Sequence, residues 1–412
     1  MLAGGRPNAF SEGNNAFAGV VNPANAVWIK DRFDVGAFLV HQKVSINNKD
    51  NSPLYPPGRT DLAYHAKNIL SFDMAIHKTF NLAGYDSSVT IATYTVPPSV
   101  KIRTKDNIPG SGTTPVRIQS KTNVLSAVFS IKLNDSHSLG FSLDYLHLSR
   151  LRNGFQNSAN PVRSVSPNHV TNKGMDHSEG FGFSFGYRWN ITKRLLFGAA
   201  WIRKSYAGQY RKYRGFEPHR ANNYIPQTVG AGFTYRFSQK VAGRIEMIWV
   251  DQGNLPGANN SILPNGNLNT NKRGSNRSPG PGLTDATFVN AGLGCKVNSH
   301  LSLGGGLSHR LKGRFSSIFI SHSYRVQTVY TLISLGAHLE YGKHELFAVC
   351  SHGLKNKVSG RLPASLGGSR FTSEKETLNF SLSYGYRYYS PVFLQDKRIF
   401  ASRWQDIFQE CF

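Results

Sequence analysis

Apolar and polar residues alternate with period two along nearly the whole chain, which is the signature of strands with two unlike faces. In Phe181-Gly182-Phe183-Ser184-Phe185-Gly186-Tyr187-Arg188-Trp189-Asn190 every odd position is aromatic, and the even positions are Gly, Ser, Gly, Arg and Asn. A strand sends those two sets to opposite sides. The same split recurs in Leu378/Phe380/Leu382/Tyr384/Tyr386/Tyr388 against Asn379/Ser381/Ser383/Gly385/Arg387, and in Val229/Ala231/Phe233/Tyr235/Phe237 against Gly230/Gly232/Thr234/Arg236. Val289/Ala291/Leu293/Cys295/Val297 against Asn290/Gly292/Gly294/Lys296 is a further case. A soluble sandwich or barrel would turn large apolar side chains inward and charges outward. Here the apolar set ends in aromatics, which suits lipid with an interfacial aromatic girdle, and the Gly/Ser/Arg set suits a polar lumen.

The runs predict about fourteen strands, near 34–44, 66–80, 87–96, 116–133, 138–150, 178–190, 193–207, 226–237, 240–250, 284–297, 300–309, 326–341, 344–355 and 376–389. Links from even to odd strands are short, as at 134–137, 238–239 and 342–343. Links from odd to even strands are long, as at 151–177, 208–225 and 251–283. That asymmetry predicts an all-β fold, a transmembrane antiparallel β-barrel in a bacterial outer membrane, with periplasmic turns, extracellular loops and both termini on the periplasmic side. The expected organisation is a plug at 1–33, the barrel at 34–389 and a periplasmic tail at 390–412 with no evident role. The plug expectation comes from a leading segment without strand period, ahead of a barrel wide enough to conduct water unless filled.

Composition narrows the functional classes. The 412 residues carry 48 Lys+Arg and 23 Asp+Glu, a net charge of +25. A surplus of that size invites a nucleic-acid reading. The basic residues are nevertheless scattered over loops and strands, with no basic helix, zinc spacing or RNA-binding signature, so no nucleic-acid partner is expected. The cluster Arg203, Lys204, Arg211, Lys212, Arg214 and Arg220 falls on an extracellular loop, where the expected partner is lipopolysaccharide phosphate. Cys295, Cys350 and Cys411 show no metal spacing, and no cofactor is expected. The adjacent pairs His137-Ser138 and Ser308-His309 point to opposite strand faces, and neither GxSxG nor HExxH occurs, so no catalytic residues are assigned and the protein is not expected to be an enzyme. No run of about 18 apolar residues exists, so no transmembrane helix is expected. Met1-Leu2-Ala3-Gly4-Gly5 has neither a basic nor an apolar leader region, and the start reads as a mature or truncated terminus.

Several segments resemble the FadL-type long-chain fatty acid and hydrophobic-compound transporters. Ala16-Phe17-Ala18-Gly19-Val20-Val21-Asn22-Pro23-Ala24 is similar to that family's hatch segment, although Asn25 stands where the family usually has Gly. The stretch from Gly186 to Lys204 resembles its central hairpin, Ile225-Pro226-Gln227-Thr228 its next strand, and the stretch from Ala291 to Gly306 a later hairpin. The resemblance implies a monomeric fourteen-strand barrel, a hatch carrying Asn22, Pro23 and Ala24, and inward diffusion of fatty acids or other hydrophobic small molecules. It also implies a kink in the third strand that opens the wall laterally, here Tyr94 with Pro97 and Pro98; a proline pair is equally an ordinary loop entry.

Transport of an amphipathic acid needs an apolar cavity and a cation for the carboxylate. Lumen parity nominates Arg188, Arg236, Arg244 and Arg387, which could equally pair with Asp144, Glu246 and Glu340. The alternatives to a gated hydrophobic channel are a general or anion-preferring porin, favoured by the positive charge, and a structural or adhesin-like barrel.

Overall fold

The computed structural model describes residues 9–48, 50, 58–61, 68–96, 100–107, 111–218, 224–255, 257, 259–261, 269–280, 282–312, 330–361, 368 and 370–388. The tail at 390–412, Pro97, Pro98, Arg220 and Cys411 lie outside them.

Fourteen antiparallel wall strands close into a barrel. They are β1 (Arg32–Asn48), β2 (Asn68–Leu82), β3 (Tyr85–Thr95), β4 (Pro115–Lys132), β5 (His137–Asn153), β6 (Asp176–Asn190) and β7 (Leu195–Ile202). The second half comprises β8 (Thr228–Arg236), β9 (Val241–Val250), β10 (Ala286–Lys296), β11 (Leu301–Lys312), β12 (Thr331–Tyr341), β13 (His344–Arg361) and β14 (Arg370–Arg387). Each pairs with its sequence neighbour, and β1 pairs with β14 in unbroken register from Arg32↔Arg387 to Asn48↔Phe371, so the sheet closes on itself. Short strands at Gly58–Asp61, Val100–Asn107, Ser205–Ala207 and Tyr224–Ile225 extend the wall on the long-link side.

The facing is as the alternation predicts. On β6, Phe181 is 75% exposed and Ser184 3%, with Phe185 and Trp189 outward and Arg188 inward. Outward Leu70, Phe72, Leu143, Leu303, Leu335, Phe380 and Leu382 continue an apolar belt around the molecule. A contiguous apolar exterior of this kind is unstable in water and stable against hydrocarbon. At the short-link end it terminates in polar aromatic groups: His137 lies against Tyr187 and Trp189, His300 against Tyr341, and His344 against Tyr384 and Tyr386. Cys295 and Cys350 are free and exposed in the same outer surface.

Candidate functional site

Residues 9–31 lie inside the barrel as a short helix (Ala18–Val21) and a 3-10 turn (Pro23–Trp28). Pro23 opens the turn, a position where its missing N–H costs nothing. Asn22 is fully buried and organises the segment. Its Nδ2 donates to the carbonyls of Phe10 (2.6 Å) and Tyr187 (3.0 Å), and its Oδ1 accepts from the Ala24 N–H (3.1 Å). The Ala24 carbonyl accepts from Ser138 Oγ at 2.9 Å, and Ser138 Oγ in turn accepts from Trp28 Nε1 at 2.8 Å.

Glycines make room for this segment. A Cβ on Gly140 would overlap the Pro23 backbone, on Gly186 the Asn22 side chain, on Gly198 the Phe10 backbone and on Gly230 the Phe10 ring. The small inward residues of β5 to β8 therefore form a bed for the segment. Gly294 and Gly306, across the lumen on β10 and β11, approach only atoms of adjacent strands. The segment leans on one wall and leaves the other bare.

Wall side chains hold it. Glu246 on β9 accepts from the Phe10 N–H (2.6 Å), and Ser11 bonds Thr234 on β8 (2.7 Å). Arg236 on β8 pairs with Glu12. Asp34 on β1 accepts from the Ala16 N–H (2.7 Å), and Asp31 from the Thr79 N–H on β2 (2.6 Å). Arg32 donates to the Asn14 carbonyl (2.7 Å) while paired with Asp34 (2.8 Å) and with Glu345 on β13 (2.9 Å). All three ionised groups are buried, which is tolerable only because each has an opposite charge in contact.

The nominated arginines fall within or beside this arrangement. Arg188 lies 4.7 Å from the Trp28 ring, which also receives Lys132 at 4.3 Å, and bonds Asn190 at 3.1 Å. Arg387 pairs with Glu340 and with Glu345 (3.0 Å). Arg244 is on the inner face of β9, between Thr234 and Gly292. Asp144 pairs with none of them and accepts from Ser126 at 2.5 Å. His338, Glu340 and Glu345 group as potential metal ligands, but Arg32 and Arg387 already occupy the two carboxylates and oppose a cation there.

The wall itself has a seam. The ladder between β2 and β3 runs from Leu82↔Tyr85 to Met74↔Thr93 and stops, while β2 stays paired with β1 as far as Asn68. Above that point Asp73 Oδ1 accepts from the Thr95 N–H at 3.2 Å in place of a ladder bond. β3 remains on β4 through Thr95↔Asn123, so the separation lies on one side only. Tyr94, the described member of the nominated kink, packs at the seam between the Ala16/Phe17 cluster and an upper cluster of Val124, Leu146, Leu148, Tyr210 and Tyr213.

Tyr210 and Tyr213 come from the loop after β7 and cover the inward apolar residues of β4 and β5. Glu217 in that loop pairs with Arg152 and with Arg150 (3.8 Å), and Tyr213 donates to the Gly174 carbonyl at 2.6 Å. Of the basic loop cluster, Lys204 donates to the Asn254 carbonyl, Lys212 to the Met175 carbonyl and Arg214 to Ser166, and Arg203 lies over Phe183. Sequence reasoning missed Phe10, Glu12, Asp34 and Thr234. Their only advance signal was inward parity for Asp34 and Thr234, since no period exists in the leading segment.

No protein-family model and no curated protein sequence matches the chain. Solved structures do. The Pseudomonas putida toluene transporter TodX is similar with a TM-score of 0.64 at 13% identity, over 92% of this chain and 96% of that one. A Pseudomonas aeruginosa FadL homologue gives 0.62 at 14%, covering 94% and 96%. The Ralstonia pickettii toluene transporter TbuX gives 0.59 at 12%, covering 94% and 97%. The fold is thus that of the FadL-type barrels along nearly its full length.

Proposed function

We propose that this chain is an outer-membrane channel for the passive uptake of hydrophobic compounds, long-chain fatty acids or hydrocarbons, in which the N-terminal segment is a movable hatch. One observation carries the reading: residues 9–31 fill one side of a closed lumen and are held by polar bonds to separate strands. Bonds of that kind exchange with water one at a time, so a bound ligand that favours a displaced hatch shifts its population. The covered apolar cluster under Tyr210 and Tyr213 is the entry chamber. The seam at Asp73 and Thr95, with Tyr94 and the adjoining Pro97 and Pro98, is the exit through the wall. Arg188, Arg236 and Arg387 act as anchors of the hatch and its surroundings. The toluene transporters of the same fold support an apolar cargo. The basic loop residues face lipopolysaccharide phosphates, and the barrel works as a monomer.

Planar-bilayer conductance tests this. The intact protein should pass little steady current, whereas a variant lacking residues 2–30 should fold, conduct strongly and admit an apolar dye without gating. Unchanged conductance after the deletion refutes the hatch, and a high open conductance in the intact protein supports the porin alternative.

A further inference from the structure

The outward face of the strand pair β5 and β6 changes chemistry toward its long-link end. Leu143 and Tyr145 on β5 stand opposite Phe183 and Phe181 on β6, and the next outward positions bring His147 opposite Glu179 and Ser149 opposite His177. His147 and His177 are therefore diagonal neighbours on one face, a spacing that ring side chains can bridge. Their ring centroids are 5.0 Å apart, and His177 Nδ1 lies 3.2 Å from His147 Nε2. The other nitrogen of His147, Nδ1, lies 3.9 Å from Glu179 Oε1.

Two imidazole nitrogens at that separation can share one proton or address one metal ion. The shared proton makes a single hydrogen bond between exposed rings, which contributes little because water offers the same bond. The metal fits the geometry closely. Nitrogen ligands of a tetrahedral zinc ion sit about 2.0–2.1 Å from the metal, hence about 3.3 Å from each other. The observed pair needs almost no movement to meet that requirement.

Glu179 settles the tautomer of His147. A metal-bound histidine usually gives its second N–H to a carboxylate, which fixes the ring and makes the ligating nitrogen more basic. The carboxylate stands on the Nδ1 side and draws the proton there, which leaves Nε2 as a lone pair aimed at His177. His177 then needs only to carry its own proton on Nε2 for its Nδ1 to face the same point. Among the described residues no lysine or arginine pairs with Glu179, in contrast to Glu340 and Glu345 of the inward trio. All three side chains rise from one continuous ladder, so their backbone spacing is already set.

We infer that His147 and His177 form a site for a divalent transition-metal ion of the zinc or copper class on the outer surface of the barrel, with Glu179 orienting His147 and the outward coordination positions left to water. Imidazole favours these ions, whereas Mg2+ and Ca2+ take oxygen ligands. The site lies outside the lumen and does not depend on the channel reading.

Calorimetric titration of Zn2+ into the full, untagged chain in a non-ionic detergent tests it. The parent should show saturable Zn2+ binding and none with Mg2+. His147→Asn and His177→Asn should each abolish the saturable phase, and Glu179→Gln should weaken it by about 10–100-fold. His338→Asn should bind like the parent. With Cu2+ as the probe, electron paramagnetic resonance of the parent should show coupling to two nitrogens, and Glu179→Gln should keep that pattern at its lower affinity. Heat-modifiable gel migration verifies that each variant is a folded barrel. A parent without saturable Zn2+ binding, a folded His147→Asn or His177→Asn protein that binds like the parent, or a loss of binding on His338→Asn overturns the site.

Discussion

The inward glycines differ in what they face, and that difference can be tested by one methyl-bearing side chain. Gly186 and Gly140 touch the backbone of the Asn22-Pro23-Ala24 turn, so a branched residue there must move either the wall or the hatch. The wall is held by a full ladder on both sides, as Gly140↔Gly186↔Ala200 shows, whereas the hatch is held by single side-chain bonds. Gly186→Val should therefore displace the hatch and raise bilayer conductance, at an overpacking cost of about 1–3 kcal/mol. Gly294→Val adds similar bulk where the nearest atom is the Leu303 carbonyl at 3.9 Å, and should conduct like the parent. Equal conductance of the two variants would show that the glycine bed does not seat the hatch. The presence of small inward residues was legible in the alternation; their purpose was not. They suggest a polar lumen when read in sequence, because the contact between Asn22 and Gly186 joins segments that share no local pattern.

At the level of elements, the sequence located every wall strand but shortened several. β13 was expected to end near 355 and runs to Arg361 past a bulge between Gly353 and Asn356; β14 was expected from 376 and begins at Arg370. Period two identifies a strand only where its two faces meet different media. Beyond the lipid the outer face is no longer apolar, so Lys355, Lys357, Glu374 and Glu376 can line an extended ladder without any apolar rhythm. Three of the short strands on the long-link side, Gly58–Asp61, Val100–Asn107 and Tyr224–Ile225, went unseen for the same reason. In the opposite sense, the strand expected at 193–207 breaks after Ile202 and resumes at Ser205, because Ser205 and Tyr206 leave β8 to pair with the loop strand at Tyr224 and Ile225. Turns were more legible. Ala83 and Gly84 both have positive φ (51° and 91°), as a two-residue hairpin requires.

For the molecule as a whole, the exit proposed at the seam would release cargo through the wall and not through the floor. Unpaired strand backbone at membrane depth persists only where it lines a polar space, and Asp73, Ser126 and Asp144 supply one beside the gap. Cysteines introduced as Asp73→Cys and Tyr94→Cys, which share the inward face and extend the register of the Met74↔Thr93 pair, should bridge the seam on oxidation. Oxidation should then abolish uptake of an apolar dye into proteoliposomes, and reduction should restore it. Uptake that persists in the fully oxidised protein would place the exit elsewhere.

The contacts of Arg32 also impose an order of events. This residue begins the first wall strand, yet one of its partners, Glu345, lies 313 positions later on the penultimate strand, and another is the hatch carbonyl of Asn14. The circle of strands cannot be completed until the chain has been delivered almost to its end, by which time the hatch has been waiting, tethered to β1, since the beginning. It is consequently enclosed by the closing wall and has no need to thread into a finished cylinder. Arg32 then acts as a clasp that links the earliest piece, the first strand and the last hairpin at the moment of closure. Arg32→Met should slow the appearance of the heat-modifiable form during refolding into lipid vesicles, while removal of residues 2–30 together with Arg32→Met should close no more slowly than the deletion alone. If the two changes slow closure additively, the clasp stabilises the finished barrel and plays no part in its timing.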